Sequence, residues 1–178
     1  MSKRGGKSVI LANSYVLFVC EGTAEEVIIN KLNAASVFDI EPSNLIGITR
    51  IRAAKKIEEE FFNVDYDLPV QIIRILDSRG ENFKKGKLYE NRYSVVNVYT
   101  RPEIEMLVVH NENKYEAWKR SSRRPCEFCA DTLGLSQVKS REFLDKYWDV
   151  ESIKRAAETY KRKHKGAVGE FCLRDLWE

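Results

Sequence analysis

No stretch of this sequence is apolar for long enough to span a membrane, and its basic, polar first residues lack the extended apolar core of a signal peptide. The expected location is therefore the cytoplasm, with no membrane partner. Four cysteines, Cys20, Cys126, Cys129 and Cys172, are widely and unevenly placed, which argues against a disulfide framework in a reducing compartment. The formal net charge of +3 is too small to identify a partner by itself. There is no P-loop glycine pattern, no spacing that suggests a Ser-His-Asp or Cys-His arrangement, no internal repeat and no low-complexity linker. What remains is a chain of 178 residues, 43% hydrophobic and 32% charged, with the composition of a globular protein on the highly charged side and the length of one domain rather than two.

Residues 15–20, Tyr-Val-Leu-Phe-Val-Cys, are continuously apolar and rich in aromatic and β-branched side chains, and they stop abruptly at Glu21-Gly22. That pattern predicts a buried parallel strand ending in a tight turn. Thr23 is the candidate N-cap of the following helix, with Glu26 completing a Thr-x-x-Glu capping box and Ile28, Ile29 and Leu32 supplying an apolar face. Residues 44–49 read as a second strand and 51–62 as an amphipathic helix, with Ile51, Ala54, Ile57, Phe61 and Phe62 at helical spacing. After Pro69, residues 70–76 form a third strand that also ends on an acid, Asp77. Gly80 and Gly86 punctuate a polar loop, and residues 93–99 make a fourth strand. Thr100-Arg101-Pro102-Glu103 predicts another helix start, with Thr100 as cap and Ile104, Leu107 and Val108 as the apolar face.

Strands alternating with helices at this spacing imply an α/β fold with a mostly parallel, four-stranded sheet covered by helices on both faces. Beyond Lys119 the chain is basic and helical. Its best helix is residues 150–164, ended by Gly166 or Gly169, before a short segment at 171–177. The expected organisation is an α/β domain over residues 1–118 with a basic helical extension over 119–178 packed on it.

The acids carry the functional argument. Glu21 and Glu25 follow the first strand, Asp77 the third, and Glu103 and Glu105 the fourth. In a parallel sheet all carboxyl ends share one edge, where open α/β sheets place their ligands. Convergent carboxylates repel unless a cation lies among them, and oxygen ligands of this kind suit Mg²⁺ or Mn²⁺. The plain alternative is that each acid caps a helix or opens a loop, as Glu25 and Glu26 would do at a helix N-terminus.

An apolar strand, then Glu21-Gly22-x-x-Glu25, then a strand ending in Asp77, resembles the TOPRIM domain of topoisomerases, primases and OLD-type nucleases, and in particular the small standalone TOPRIM proteins of the OLD and RloB-like groups. Pro102-Glu103-Ile104-Glu105 before an apolar helix is similar to a Pro-x-x-Glu element of RloB-like sequences. The resemblance covers about residues 15–109 and implies a TOPRIM-like Rossmannoid fold. It implies Glu21 as a metal-site acid able to serve as general acid or base, Glu25 as a second metal ligand, and Asp77 as the first aspartate of an Asp-x-Asp pair. The second aspartate is replaced by Arg79. Either Glu81 or Glu105 takes the missing ligand's place, or Arg79 itself contacts a phosphate and stabilises developing charge.

The resemblance further implies a Mg²⁺- or Mn²⁺-dependent nuclease with water as nucleophile, acting in defence against phage beside an ATPase partner, with homo-oligomerisation open. The expected catalytic residues are Glu21, Asp77 and Arg79, and the expected metal ligands Glu21, Glu25, Asp77 and Glu105. Two rivals stand beside it: a non-catalytic sensor or regulatory subunit that binds nucleic acid or a partner protein, and a metabolic enzyme acting on a small phosphorylated ligand.

Two basic runs are candidates for nucleic-acid binding: Arg120, Arg123 and Arg124 beside Lys119, and Lys161, Arg162 and Lys163 beside Lys154, Arg155 and Lys165. A solvated helix face is the alternative, since Glu151 and Glu158 dilute the second run. Cys126-Glu-Phe-Cys129 has the spacing of half a zinc site, with no second close pair to complete it, only His164 and Cys172. His110, near the end of its helix, is accounted for by a carbonyl partner or the helix dipole.

Overall fold

The computed structural model describes residues 9–77, 83–164 and 170–177. Strand β1 (Tyr15–Cys20) lies inside a four-stranded, all-parallel sheet of order β2-β1-β3-β4, with β2 (Leu45–Thr49), β3 (Val70–Leu76) and β4 (Ser94–Tyr99). Side chains of a strand alternate between faces, and here both faces are buried, which is why β1 is apolar throughout. Val16, Phe18 and Cys20 enter one core; Leu17 and Val19 enter the other. In β3, Ile73 and Ile75 join the first core and Val70 and Ile72 the second.

Helix α1 (Thr23–Ala34) packs into the first core through Val27, Ile28, Ile29 and Leu32, whereas α2 (Ala54–Phe61) brings Ile57 to the second. Because β2 and β3 flank β1 on opposite sides, the strand order reverses between β1 and β3, the position at whose carboxyl ends open α/β sheets place their ligands. Helices α3 (Met106–Asn111), α4 (Tyr115–Ser121), α5 (Pro125–Leu133), α6 (Arg141–Tyr147) and α7 (Val150–Lys163) follow. Leu107, Phe128, Leu144, Ile153 and Ala157 bury their side chains in the same core as α1. Asp149 caps α7, its carboxylate accepting from the Ser152 N–H at 2.7 Å. A 3-10 turn, Leu173–Leu176, closes the described chain, and Phe171 extends the β4 edge by a parallel bridge to Val98. Among the described residues no helix is long and apolar enough to cross a membrane.

Two local expectations are corrected. Gly22, not Thr23, is the N-cap of α1, and the reciprocal acid is Glu25, whose Oε2 accepts from the Gly22 N–H at 3.0 Å. Thr23 Oγ1 instead accepts from Arg50, and Glu26 faces Arg141 and Arg50. Thr100 does not cap a helix: its N–H donates to the Leu76 carbonyl at 2.9 Å, continuing the ladder, and α3 starts six residues later at Met106. Helix α7 ends at Lys163; the proposed stops at Gly166 and Gly169, like the loop glycine Gly80, lie outside the described residues.

Phe18 is fully buried at the centre of β1 and its ring centroid stands 5.0 Å from that of Phe38. Phe18→Ala is expected to lower unfolding free energy by about 3–5 kcal/mol, through lost transfer energy and the cavity left behind. Urea unfolding checks this as a lower midpoint at unchanged slope.

Candidate active site at the carboxyl edge of the sheet

Parallel register aligns the strand ends. Cys20 pairs with Ile75 and Leu76 with Tyr99, so Glu21, Asp77 and Thr100 each stand one residue beyond the ladder. The Glu21 N–H donates to the Ile75 carbonyl at 3.2 Å, and Glu21 Oε2 accepts the Asp77 N–H at 2.9 Å, tying the ends of β1 and β3 directly together. Glu21 Oε1 faces Arg52 Nη1 at 3.3 Å. Glu25 comes from the first turn of α1, and Glu103 and Glu105 from the turn between β4 and α3.

These acids are close enough to perturb one another. Burial pushes the Glu25 carboxyl up to about 7; its backbone hydrogen bond opposes this, while the charges of Asp77, Glu105 and Glu21 add to it. Burial likewise raises Asp77 to about 6, with Glu21 and Glu103 adding and Lys139 and Arg124 opposing. Glu105, only 2% exposed, is raised by burial against the pull of Lys139. Glu103 is the exception: burial would raise it, but the Arg124 hydrogen bond together with Lys139 and Cys126 holds its carboxyl below the usual range. Arg124 donates through Nε to Glu103 Oε1 at 2.9 Å and through Nη2 to the same oxygen. Lys139 Nζ lies 3.5 Å from Glu105 Oε2 and 3.9 Å from Glu103 Oε2.

Among the described residues, five buried side-chain oxygens along this edge have no hydrogen-bond partner: Asp77 Oδ1, Thr100 Oγ1, Glu103 Oε2, and both oxygens of Glu105. A buried carboxylate without a donor costs free energy, so each of these oxygens calls for a partner such as a cation or an ordered water. Among the described residues, no three His, Cys, Asp or Glu side chains are already grouped to hold one ion. The reason is visible in the contacts: Glu21 is turned to the Asp77 N–H and Arg52, Glu25 to the Gly22 N–H, and Glu105 toward Lys139.

Of the residues singled out from sequence, the fold brings Glu21, Glu25, Asp77 and Glu105 together. Arg79 and the substitute ligand Glu81 lie outside the described residues. Arg124 belongs to the acid site through Glu103. Arg123 pairs with Asp131 at 2.8 Å, Lys161 with the buried Asp175 at 2.6 Å, and Lys163 with Glu116 at 2.9 Å. Arg120 donates to the Glu116 carbonyl and Arg162 to Thr159 Oγ1. Cys126 and Cys129 are free thiols beside the acids, and both thiols are raised, by burial first and then by neighbouring charge from Glu103 and Glu105 respectively.

His110 is explained neither by a carbonyl nor by the dipole. Its Nε2 meets His164 Nε2 at 3.0 Å, and burial pushes both imidazoles down to about 4, so the pair is neutral at pH 7 and shares one proton across the contact.

Sequence reasoning misses Lys139 and Arg52, and it places Thr100 only as a helix cap. Lys139 lies in the turn between α5 and α6 with no motif around it, and Thr100 carried a capping signal that the ladder overrides.

No family model, no curated protein and no solved structure matches the chain. The candidate site therefore stands on its own geometry.

The raised Glu25 carboxyl sets a pH dependence. A folded-state pKa of about 7 against an ordinary 4.5 means that the native state holds a proton the unfolded chain has lost, so stability falls as pH rises through that window. In chelator, Glu25→Gln, which keeps an acceptor for the Gly22 N–H, is expected to match wild type near pH 4 and to exceed it by about 2–3 kcal/mol at pH 8. Chemical denaturation across pH checks it.

Proposed function

We propose that this chain hydrolyses phosphodiester bonds in nucleic acid at the carboxyl edge of its sheet, using Mg²⁺ or Mn²⁺ held by Glu21, Glu25, Asp77 and Glu105. The observation that carries this reading is the set of buried oxygens on Asp77, Thr100, Glu103 and Glu105 that have no hydrogen-bond partner among the described residues, at and just beyond the aligned ends of β3 and β4. When bound, such a cation polarises a phosphoryl oxygen and lowers the pKa of a water, which is the chemistry phosphodiester cleavage requires.

The chain's own groups divide the remaining work. Glu25, whose carboxyl burial pushes up to about 7, would give up its proton in taking a place as ligand, and Glu21 keeps the general acid or base role that the TOPRIM resemblance implies. Glu21 joins β1 to β3 through the Asp77 N–H and fixes the spacing of the two strand ends. Arg124 and Lys139, both more than half exposed while their acid partners are buried, present positive charge where a phosphate would arrive. An ATPase partner and a role against phage are proposed on the TOPRIM resemblance.

One set of contacts favours the non-catalytic reading. Arg52 and Lys139 already neutralise Glu21 and Glu105, so a cation must compete with two built-in charges, and Arg79 replaces a ligand of the TOPRIM pattern.

Cleavage assays on single-stranded and duplex DNA and RNA separate the two. The hydrolase reading expects Mn²⁺-dependent cleavage that falls by about a hundredfold or more in Asp77→Asn and Glu105→Gln, with unchanged circular dichroism. No cleavage of any of these by wild type, with either ion, selects the sensor reading. Lys139→Ala adds a binding measure: it is expected to tighten Mn²⁺ binding severalfold by calorimetry, since a competing charge beside Glu105 is removed.

A further inference from the structure

We infer that the ridge formed by α4 and the last turn of α7 binds single-stranded nucleic acid, with a base stacking on Trp118 and the backbone running over Lys119, Arg120 and Lys163 toward Arg124. The ridge as a binding surface stands on its own observations; only its role in feeding the carboxyl edge rests on the hydrolase reading above.

Helical spacing puts Tyr115 and Trp118 on one side of α4, three residues apart, with ring centroids 5.8 Å from each other. One face of Tyr115 is covered by His110, stacked at 5.0 Å, and Lys163 holds its ammonium 5.6 Å from the ring centroid. Both aromatic side chains remain partly exposed. The two basic runs, far apart in the chain, meet here at a single acid. Glu116 takes Lys163 as its ion-pair partner at 2.9 Å, and Lys163, Lys119 and Arg120 together hold its carboxyl below the usual range. Lys119 and Arg120 are exposed and form no ion pair among the described residues, so the patch keeps positive charge after Glu116 is satisfied.

The ridge continues into the acid site. Trp118 Nε1 donates to the Arg123 carbonyl at 3.0 Å, which fixes the chain as it leaves α4, and the next residue, Arg124, reaches Glu103. A partly exposed indole flanked by unmatched cations suits a strand whose base faces are accessible and whose phosphates follow at each nucleotide. A duplex keeps its base faces inside the stack, so Trp118 would have nothing to receive. The charge attracts any polyanion; the aromatic face selects an unpaired base.

Fluorescence anisotropy with labelled oligonucleotides of about 15 nucleotides, single-stranded and as matched hairpin duplexes, in DNA and RNA forms, tests this on the full chain in EDTA, where cleavage is silenced. The inference expects at least about tenfold tighter binding of a single strand than of the duplex, and quenching of tryptophan emission that disappears in Trp118→Phe. Trp148 and Trp177 are buried and stay as internal references. Lys119→Glu with Arg120→Glu is expected to weaken single-strand binding about tenfold or more and to flatten its salt dependence. Duplex binding as tight as single-strand binding, full affinity in the charge-reversed variant, or equal displacement by polyglutamate would overturn it. Ridge binding without metal-dependent cleavage contradicts the hydrolase reading alone; cleavage unaffected by ridge variants that have lost single-strand binding overturns the ridge's feeding of the carboxyl edge.

Discussion

Everything at the candidate site follows from strand direction. Because all four strands run parallel, their carboxyl ends share one edge, and acids separated by more than eighty positions of chain, from Glu21 to Glu105, are forced into a common field. A single antiparallel strand would have sent Asp77 or Glu105 to the opposite edge. The Glu21 bond to the Asp77 N–H is the local lock on this arrangement: a side chain at the end of β1 satisfies the first backbone donor beyond β3, so the two strand ends cannot slide independently.

Five carboxylates in so small a space must be stabilised by something, and the molecule answers in three ways. Backbone N–H groups bind Glu21 and Glu25; Arg52, Arg124 and Lys139 neutralise Glu21, Glu103 and Glu105; and protons remain on Glu25 and Asp77 to higher pH than usual. The oxygens left bare are those a cation would take. Core packing on both faces of the sheet offsets the electrostatic cost of this cluster, and acids perturbed in this way make the edge a candidate functional site.

Much of this was legible in the sequence because buried parallel strands are written as largely apolar runs, unbroken in β1 and interrupted in β3 by Gln71 and the buried Arg74. β1 and β3 fall where the sequence places them, and the alternation into two cores explains why β1 is apolar on both sides. Capping was less legible. Thr23 and Thr100 both carry the right side chain for an N-cap, yet Gly22 holds the first position because Glu25 reaches its N–H, and Thr100 is claimed by the ladder to Leu76. The cations that answer the acids were hidden for another reason. Lys139 reaches Glu105 from a connecting turn, and Arg52 reaches Glu21 from the approach to α2; such long-range pairs leave no periodic trace in the chain. The meeting of the two basic runs at Glu116 was equally invisible, since it depends on how α7 lies against α4.

The basic ridge leads to the acid edge through residues 123–124: Trp118 holds the Arg123 carbonyl, and the Arg124 guanidinium binds Glu103. The account stands or falls on whether the edge takes a divalent ion. Anomalous diffraction from a crystal soaked in Mn²⁺ is the most direct measurement: the account predicts a peak bonded to Asp77 and Glu105, with Lys139 turned away. Density showing Lys139 still against Glu105, and no anomalous peak along the edge at saturating Mn²⁺, would contradict it.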